Sequence, residues 1–378
     1  MTSRERLLKV LNREMPDCVP VAPDISNMIP AKLTGKPYWE LYLYKDPPIY
    51  MAYLDAVEKI GFDSLMDGYV PIYLGDDEEE NYEEVIVKER DDRIITMKYD
   101  KDKSTIHKKE WLDSATVYHI DNPPSRGLDP EALGIGKIPK EYKHIEGIKK
   151  VPEGAELLSL VKERMGDMGL VGVFCGTSLL LHNEKEIFDF YDNPQKYYDK
   201  RDSLLEKYTQ RFSKLMALPD PPDFICTGGS GSLVFQSPEI FRELAFPIVK
   251  HVTKLCKEHN IPSHIHSCGP ETAIVRMCAE ETDLTVIDPL EIPPMGDCDL
   301  AELKKKYGDK LVLKGNLHTT NVMLNGSVQD VIDASRKAID DGAQGGGFIL
   351  STGDQCGRDT PLDNLYAMVE TARTYGKY

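Results

Sequence analysis

One short stretch of the chain combines side chains that bind transition metals. His264, His266 and Cys268 alternate along a run that reads as extended, and alternate residues of a strand point to the same face. An imidazole nitrogen and a thiolate suit zinc, and Cys356 follows a later apolar run, from which it could reach the same ion. Three protein ligands with an open fourth position are typical of catalytic zinc. A core histidine and buried apolar cysteines would show the same spacing.

Other side chains suited to catalysis or binding follow further apolar runs. Glu291 could be a fourth zinc ligand that substrate displaces, or simply a loop carboxylate or helix cap. His318 could donate a proton to a leaving group, or be a hydrogen-bonded loop histidine. We expect Asp24 and Tyr69 to orient the substrate.

A glycine-rich run, Gly228–Ser232, lies at the end of another apolar run. It lacks the lysine of a P-loop and the G-x-G-x-x-G spacing of a dinucleotide site, which disfavours ATP and NAD. We expect Gly228 and Gly229 to allow the backbone to approach a bulky ligand closely.

Eight short apolar runs are predicted to be strands that carry these residues at their carboxyl ends. They are Val19–Asp24, Phe62–Asp67, Gly169–Cys175, Asp223–Thr227, Pro262–Cys268, Leu284–Asp288, Lys310–Gly315 and Gly346–Ser351. Their lack of clean alternation is typical of parallel strands covered on both faces. Repeated β–α units fit a doubly wound sheet or a closed barrel, and a count of eight favours an α/β fold of the (β/α)8 type, with its active site at the carboxyl ends of the strands.

The intervening stretches complete this predicted architecture. Helical periodicity is present at Tyr50–Ile60, Pro238–His259 and Ser327–Asp341. The runs Glu84–Glu89 and Arg93–Tyr99 predict an antiparallel hairpin. We therefore expect a single barrel domain over residues 1–378, with an inserted hairpin and loop region at about 76–142, after the second unit.

The composition excludes several classes of protein. Lysine and arginine number 46 against 63 acidic residues, a net charge of −17 that repels nucleic acid and anionic lipid. No apolar run is long enough for a transmembrane helix, the amino terminus has no signal core, and eight cysteines are too sparse for a disulfide framework. We expect a cytoplasmic protein that binds neither nucleic acid nor membrane.

Several segments resemble the uroporphyrinogen decarboxylase (URO-D) superfamily. They are Thr2–Arg6, Leu11–Asp17 with Val19 and Pro20, Gly315–Leu317, Gly345–Ser351 and Thr360–Leu365. These segments span nearly the whole chain. The resemblance implies a TIM barrel of the URO-D type.

The resemblance also distinguishes two branches of that superfamily. Its decarboxylases carry an arginine-rich segment that binds porphyrinogen carboxylates, whereas the corresponding stretch here, Asp24–Pro30, has no arginine. The pattern of His266, Cys268 and Cys356 instead resembles the zinc-dependent, corrinoid-linked methyltransferases. It implies that these three residues bind Zn²⁺.

The activity implied by this branch is methyl transfer between a small methylated substrate and the cobalt of a corrinoid. Zinc can activate the heteroatom that loses the methyl group, or hold a thiol as the thiolate that accepts it, and the sequence leaves both directions open. We favour the first, O-demethylation of a methoxylated aromatic. The alternatives are a methylcobamide:thiol methyltransferase of the coenzyme M type, a uroporphyrinogen decarboxylase, and a non-catalytic barrel that binds a corrinoid protein.

The partners follow from the same resemblance. The D-x-H-x-x-G signature of cobalamin domains is absent from the sequence, so we expect the corrinoid on a separate protein. The related decarboxylases are dimers, which leaves a homodimer open here.

Overall fold

The chain folds into two compact units. The computed structural model describes residues 1–66, 70, 82–102, 104–106, 114–136, 139 and 141–378. The first unit comprises Met1–Ile25, Val57–Leu74 and Glu153–Tyr378, and the second comprises Ser26–Ala56 and Gly75–Pro152. The insertion expected at 76–142 falls in the second unit, which also takes in residues 26–56. The organisation as one barrel domain stays a prediction.

Helices and strands alternate through most of the first unit. Over the described residues the helices are α1 Ser3–Leu11, α2 Met28–Leu33, α3 Tyr38–Tyr42, α4 Ile49–Ile60, α5 Gly154–Met165, α6 Glu184–Asp192, α7 Pro194–Met216, α8 Pro238–Leu244, α9 Phe246–Glu258, α10 Thr272–Glu281, α11 Leu300–Tyr307, α12 Val328–Gly342 and α13 Leu362–Thr374. The strands are β1 Ser64–Met66, β2 Tyr82–Arg90, β3 Arg93–Asp100, β4 Thr105–Ile106, β5 Ala115–His119, β6 Ser125–Leu128, β7 Lys143–His144, β8 Gly169–Phe174, β9 Phe224–Gly228, β10 Ser263–His266, β11 Val286–Asp288, β12 Val312–Leu317 and β13 Phe348–Thr352. A 3₁₀ turn at Gly166–Met168 and a π-helix at Thr319–Leu324 complete the list.

The first unit is built on a parallel sheet of seven strands. Their order is β1-β8-β9-β10-β11-β12-β13, so each strand pairs with its neighbour along this unit. The register places His264 opposite both Cys226 of β9 and Val286 of β11. These seven strands correspond to seven of the eight predicted runs. The α/β class with a parallel sheet is therefore confirmed.

The eighth predicted run, Val19–Asp24, forms an isolated bridge instead of a strand. Val21 pairs in parallel with Leu350 of β13, and the amide of Ala22 donates to the Leu350 carbonyl at 2.9 Å. On its other side, the Val21 carbonyl accepts a hydrogen bond from the amide of Asp63 at 2.7 Å, just before β1. This segment thus bonds to residues at both ends of the seven-stranded order.

Helix α1 packs against the amino-terminal ends of the strands. Its apolar residues Leu7, Val10 and Leu11 are buried in one cluster with side chains from the sheet. The strand residues of that cluster include Leu65, Leu170, Phe224, Val286, Val312 and Ile349. Thr2 and Glu5 begin the helix with a capping box. The space beneath the amino-terminal ends is therefore filled largely with apolar side chains.

Two of the three predicted helices match the structure and one is divided. Helix α4 matches the predicted Tyr50–Ile60, and α12 matches Ser327–Asp341 with Ser327 as its amino-terminal cap. The predicted helix Pro238–His259 breaks at Ala245 into α8 and α9. Pro247 at the start of α9 has no amide proton and cannot continue the hydrogen bonding of α8.

The second unit contains an antiparallel sheet. Its strand order is β6-β5-β3-β2-β7, with β4 on β3. Strands β2 and β3 form a hairpin in the predicted position, with Arg90 opposite Arg93 across a two-residue turn. Val85, Met97 and Val117 contribute to the buried cluster of this sheet. Among the helices of the described ranges, none has the length and hydrophobicity to cross a membrane.

A buried carboxylate joins three segments of the first unit. Asp63 is fully buried and accepts hydrogen bonds from Arg6 Nη1 at 2.6 Å, Arg373 Nη2 at 2.8 Å and the Val21 amide at 2.9 Å. These bonds tie α1, α13 and the bridge segment to β1. Removing one partner of a buried ion pair leaves the other charges uncompensated.

Asp63→Ala should therefore lower the free energy of unfolding by about 3–5 kcal/mol, measured by urea titration. Glu302→Ala, which removes an exposed pair with Lys306 on α11, is the control and should leave that free energy unchanged within error. Equal effects of the two substitutions would contradict the structural role assigned to Asp63.

Candidate metal centre

Three side chains at the carboxyl ends of the strands form a group that could hold a metal ion. The ligand atoms of His266, Cys268 and Asp354 all lie within 4.8 Å of one another. His266 ends β10, Cys268 follows it by two residues, and Asp354 lies just beyond β13. Within the described residues, no other set of three or more His, Cys, Asp or Glu side chains has its ligand atoms this close together.

Asp288, at the end of β11, orients the histidine of this group. Its Oδ1 lies 2.9 Å from His264 Nε2 and 3.3 Å from His266 Nδ1, so both histidines of β10 point to the same carboxylate, as the alternation predicts. Lys314 Nζ contacts the other carboxylate oxygen. Because Nδ1 of His266 faces Asp288, Nε2 is left facing Asp354, 3.5 Å away. Metal-binding histidines usually engage a carboxylate through their second nitrogen in this way.

Charge, not burial, sets the ionisation of these groups. Burial alone would raise the pKa of Asp288, but Lys314 and the two histidines hold it well below its usual value. Burial would likewise lower the pKa of His266, and the charge of Asp288 instead raises it well above the usual value. An ionised Asp288 is thus present to hold the His266 ring.

Ser230 was not anticipated from the sequence as a residue of this site. Its Oγ lies 2.8 Å from Cys268 Sγ, a position from which a hydroxyl can donate to a thiolate. Ser230 belongs to the glycine-rich run after β9, where only the glycines were singled out. The available signal was a hydroxyl at a strand end, next to glycines that bring the backbone close.

Asp354, unlike the predicted ligand Cys356, belongs to the 4.8 Å group. Its φ of 121° lies in a region that residues other than glycine rarely adopt, and such strain concentrates at functional sites. Cys356 is fully buried, and its amide donates to the Asp24 carbonyl at 2.8 Å. Burial, with the nearby charge of Asp24, raises the pKa of the Cys356 thiol to about 12. A role for Cys356 as a ligand stays a prediction.

Glu291 lies beside the metal-binding group. It is buried, and its Oε2 accepts a hydrogen bond of 2.5 Å from the amide of Gly269, the residue after Cys268. Burial raises its pKa, and the charge of Asp354 raises it further. The carboxylate is thus close to Cys268 but outside the 4.8 Å group.

His318 begins the π-helix that follows β12. Its Nδ1 accepts hydrogen bonds from the amides of Thr320 and Asn321, both at 3.2 Å. Its Nε2 is buried and has no hydrogen-bond partner among the described residues. The ring lines a narrow cavity together with Glu291 and Asn316.

The four residues predicted to bind substrate have different surroundings, where the structure describes them. Asp24 is half-buried, and its amide donates to Thr352 Oγ1 at 3.0 Å. A Cβ on Gly228 would lie 2.3 Å from Ile265 Cγ1, and one on Gly229 would lie 2.8 Å from Leu180 Cδ1. Any larger residue at these two positions would clash with a neighbouring side chain, which explains the glycines without a ligand. A ligand-binding role for them stays a prediction. Tyr69 lies outside the described residues.

The carboxyl-terminal part of the chain matches a known family. Residues 224–375 match the family described as uroporphyrinogen decarboxylase (URO-D). This segment contains the whole 4.8 Å group, Glu291 and His318.

Similar proteins come from methanogenic archaea. The methylcobamide:CoM methyltransferase MtbA of Methanosarcina mazei is 28% identical over 139 residues, which are 36% of this chain and 37% of that protein. The methylcobamide:CoM methyltransferase MtaA of Methanosarcina barkeri is 23% identical over 232 residues, 60% of this chain and 64% of that protein. The chain thus spans between about a third and two thirds of the length of these relatives.

A solved structure has the same fold over its full length. A methyltransferase from Methanosarcina mazei aligns with 99% of both chains at a TM-score of 0.59 and 18% identity. The segment 224–375 therefore matches the URO-D family. The similarity of the chain to the Methanosarcina proteins supports the corrinoid methyltransferase branch that its sequence predicted.

The different settings of the two cysteines can be tested by alkylation. In metal-free protein at neutral pH, iodoacetamide should modify Cys268 well before Cys356, because the buried Cys356 thiol with a pKa of about 12 exposes almost no thiolate. Mass spectrometry of peptides taken over time measures both rates. Cys256, fully buried in α9, is the control that should react only on unfolding. Modification of Cys356 first would contradict this placement.

Proposed function

We propose that this protein is a zinc-dependent methyltransferase that moves a methyl group between a small methylated substrate and the cobalt of a corrinoid carried by a separate protein. The observation that carries the proposal is the group of His266, Cys268 and Asp354 at the carboxyl ends of the parallel strands. Its members supply nitrogen, sulfur and oxygen donors, all of which zinc accepts. The relatives named as methylcobamide:CoM methyltransferases support the reaction type.

The finer fold that we propose is a closed (β/α)8 barrel of the URO-D type. The segment 19–22 supplies the eighth position, because Val21 pairs with Leu350 of β13 and its carbonyl accepts the amide of Asp63 beside β1. Closure brings the carboxyl ends of β10 and β13 to one rim, where barrel enzymes place their active sites. That rim holds Cys268 and Asp354.

The residues present fit zinc. His266 and Cys268 are two ligands, and Asp354 is the third in this geometry, with Cys356 as the candidate from the sequence. Asp288 holds His266 so that Nε2 faces Asp354 and would be the nitrogen available to the ion. Glu291, whose carboxylate lies against Gly269, is the proposed fourth ligand that substrate displaces.

When bound, zinc acts as a Lewis acid on the heteroatom that loses or gains the methyl group. The protein's own groups prepare this step. Ser230 orients the Cys268 sulfur. Glu291 would be the fourth ligand of the ion before substrate binds, and Asp24 would orient the substrate. Cytoplasmic location, and a homodimer as one assembly, remain part of the proposal.

The direction of transfer has two candidates. O-demethylation of a methoxylated aromatic, with cob(I)alamin as acceptor, is the one we favour from the sequence. The names of the relatives favour a second, transfer from methylcobamide to a thiol. Both use the same protein ligands and the same displaceable fourth position.

The ligand set is tested by zinc titration against a competing chelator. His266→Ala and Cys268→Ala should abolish stoichiometric zinc, and Asp354→Ala should weaken binding by more than about 100-fold, since losing even a supporting partner costs about 10–100-fold. Cys356→Ala should have a smaller effect. Asp359→Ala, an exposed residue of the same loop, is the control. Strong loss in Cys356→Ala with full binding in Asp354→Ala would restore the set predicted from the sequence.

The reaction is tested with zinc-loaded protein in both directions. Absorbance follows methylation of cob(I)alamin by a panel of methoxyarenes and methylamines, and demethylation of methylcobalamin by thiols. His266→Ala should abolish turnover, whereas Glu302→Ala on α11 should not change it, because zinc stabilises charge at the reacting bond itself. An unchanged rate in His266→Ala would refute the Lewis-acid role. Activity in the thiol assay alone would be consistent with the zinc site. It would show that methyl transfer runs from methylcobalamin to a thiol, contrary to the direction that we favour.

A further inference from the structure

His318 presents a hydrogen-bond donor that nothing in the described structure satisfies. Two backbone amides donate to its Nδ1, so the ring proton resides on Nε2. The Nε2 atom is buried and has no partner, and the residue is only 8% exposed. Buried polar groups in native proteins are hydrogen-bonded, and each exception requires an explanation.

The His318 ring lines a small cavity. The cavity is lined by Glu291, Ile292, Met295, Asn316, His318, Thr319 and Gly353. The gap between these side chains is narrow, so a small movement of a lining side chain is enough to bring an acceptor to Nε2.

Glu291 provides the one carboxylate in that lining. Asn316 already donates through Nδ2 to the Leu290 carbonyl, and the remaining lining side chains are apolar, a glycine or a hydroxyl. The Glu291 carboxylate is now held by the Gly269 amide, beside Cys268. Because Glu291 itself forms part of the cavity wall, rotation of its side chain can move the carboxylate from the Gly269 amide towards His318 Nε2.

We propose that His318 is the residue that receives the Glu291 carboxylate when substrate takes the fourth position at the metal. This inference rests on the proposed function, in which Glu291 is the displaceable ligand. In one position Glu291 fills the coordination sphere. In the other it accepts a hydrogen bond from His318 Nε2, and the metal is open to substrate. His318 is thus a positioning residue that acts through Glu291.

The exchange keeps a buried carboxylate paired in both positions. A carboxylate displaced into an apolar space would be unfavourable, and it would compete with substrate for the metal. A charge-assisted hydrogen bond from His318 lowers that cost. Substrate affinity therefore depends on His318, whereas affinity for the metal in the absence of substrate does not.

Two substitutions separate the functions of the His318 ring. His318→Asn keeps an oxygen that can cap the π-helix in place of Nδ1 but removes the donor at Nε2. His318→Gln keeps an N–H donor near the Nε2 position. Thermal unfolding checks that both variants are folded, and Gln remains informative if Asn is unstable.

The experiment uses full-length protein loaded with Co²⁺ as a spectroscopic substitute for zinc, titrated with 2-mercaptoethanol as the ligand for the fourth position. His318→Asn should weaken thiol binding by about tenfold, as expected for loss of a hydrogen bond to a charged group, with Co²⁺ affinity unchanged. His318→Gln should bind thiol nearly as wild type does. In a Glu291→Gln background, His318→Asn should have no further effect.

Each other outcome contradicts a defined part of the argument. Equal thiol affinity in His318→Asn and wild type, independent effects of the two sites, or no thiol binding at all would refute the exchange of Glu291. Absence of any Co²⁺ site dependent on His266 and Cys268 would instead refute the proposed function itself. The two failures are therefore distinguishable.

Discussion

The carboxylate of Asp288 is the group on which the arrangement of the site depends. A buried negative charge is stable only if it is compensated, and Lys314 with the two histidines of β10 supplies that compensation. The same contacts decide which nitrogen of His266 faces Asp354. A buried charge that would be unfavourable by itself therefore fixes the orientation of the His266 ring.

The two ends of the parallel sheet differ in their buried side chains. Helix α1 fills the amino-terminal ends with apolar side chains, and the Asp63 ion pairs lock that end to α13 and to the bridge segment. The carboxyl ends instead hold buried polar groups such as Asp288, Glu291 and His318. Rigidity at one end allows unsatisfied and strained groups to persist at the other.

The sequence predicts the strands of the first unit well, because buried parallel strands are short apolar runs bounded by turn residues. It predicts His266 and Cys268 for a related reason, since the two-residue period of a strand fixes which side chains share a face. It predicts Cys356 as the third ligand and gives no signal for Asp354. Both residues lie in a loop with no periodicity, so only the folded backbone places Asp354 in the 4.8 Å group.

The other differences between sequence and structure have separate causes. The run Val19–Asp24 has the composition of a strand, but it forms only an isolated bridge, because its backbone hydrogen bonds to β13 are limited to those of Pro20 and Ala22 with Leu350. The break between α8 and α9 follows from Pro247, whose effect is masked by a continuous apolar stripe. Residues 26–56 join the second unit through contacts distant in sequence, which no local pattern encodes.

The strained position of Asp354 has a consequence for which metals the chain can select. A site of histidine and two cysteines would be soft and would favour thiophilic ions, whereas an aspartate in the third place contributes a hard oxygen donor. In the proposed site, a set with one nitrogen, one sulfur and one oxygen would accept a wider range of divalent transition metals. Discrimination among them would then depend on geometry and on metal supply in the cell, and the φ of 121° at Asp354 contributes to that geometry.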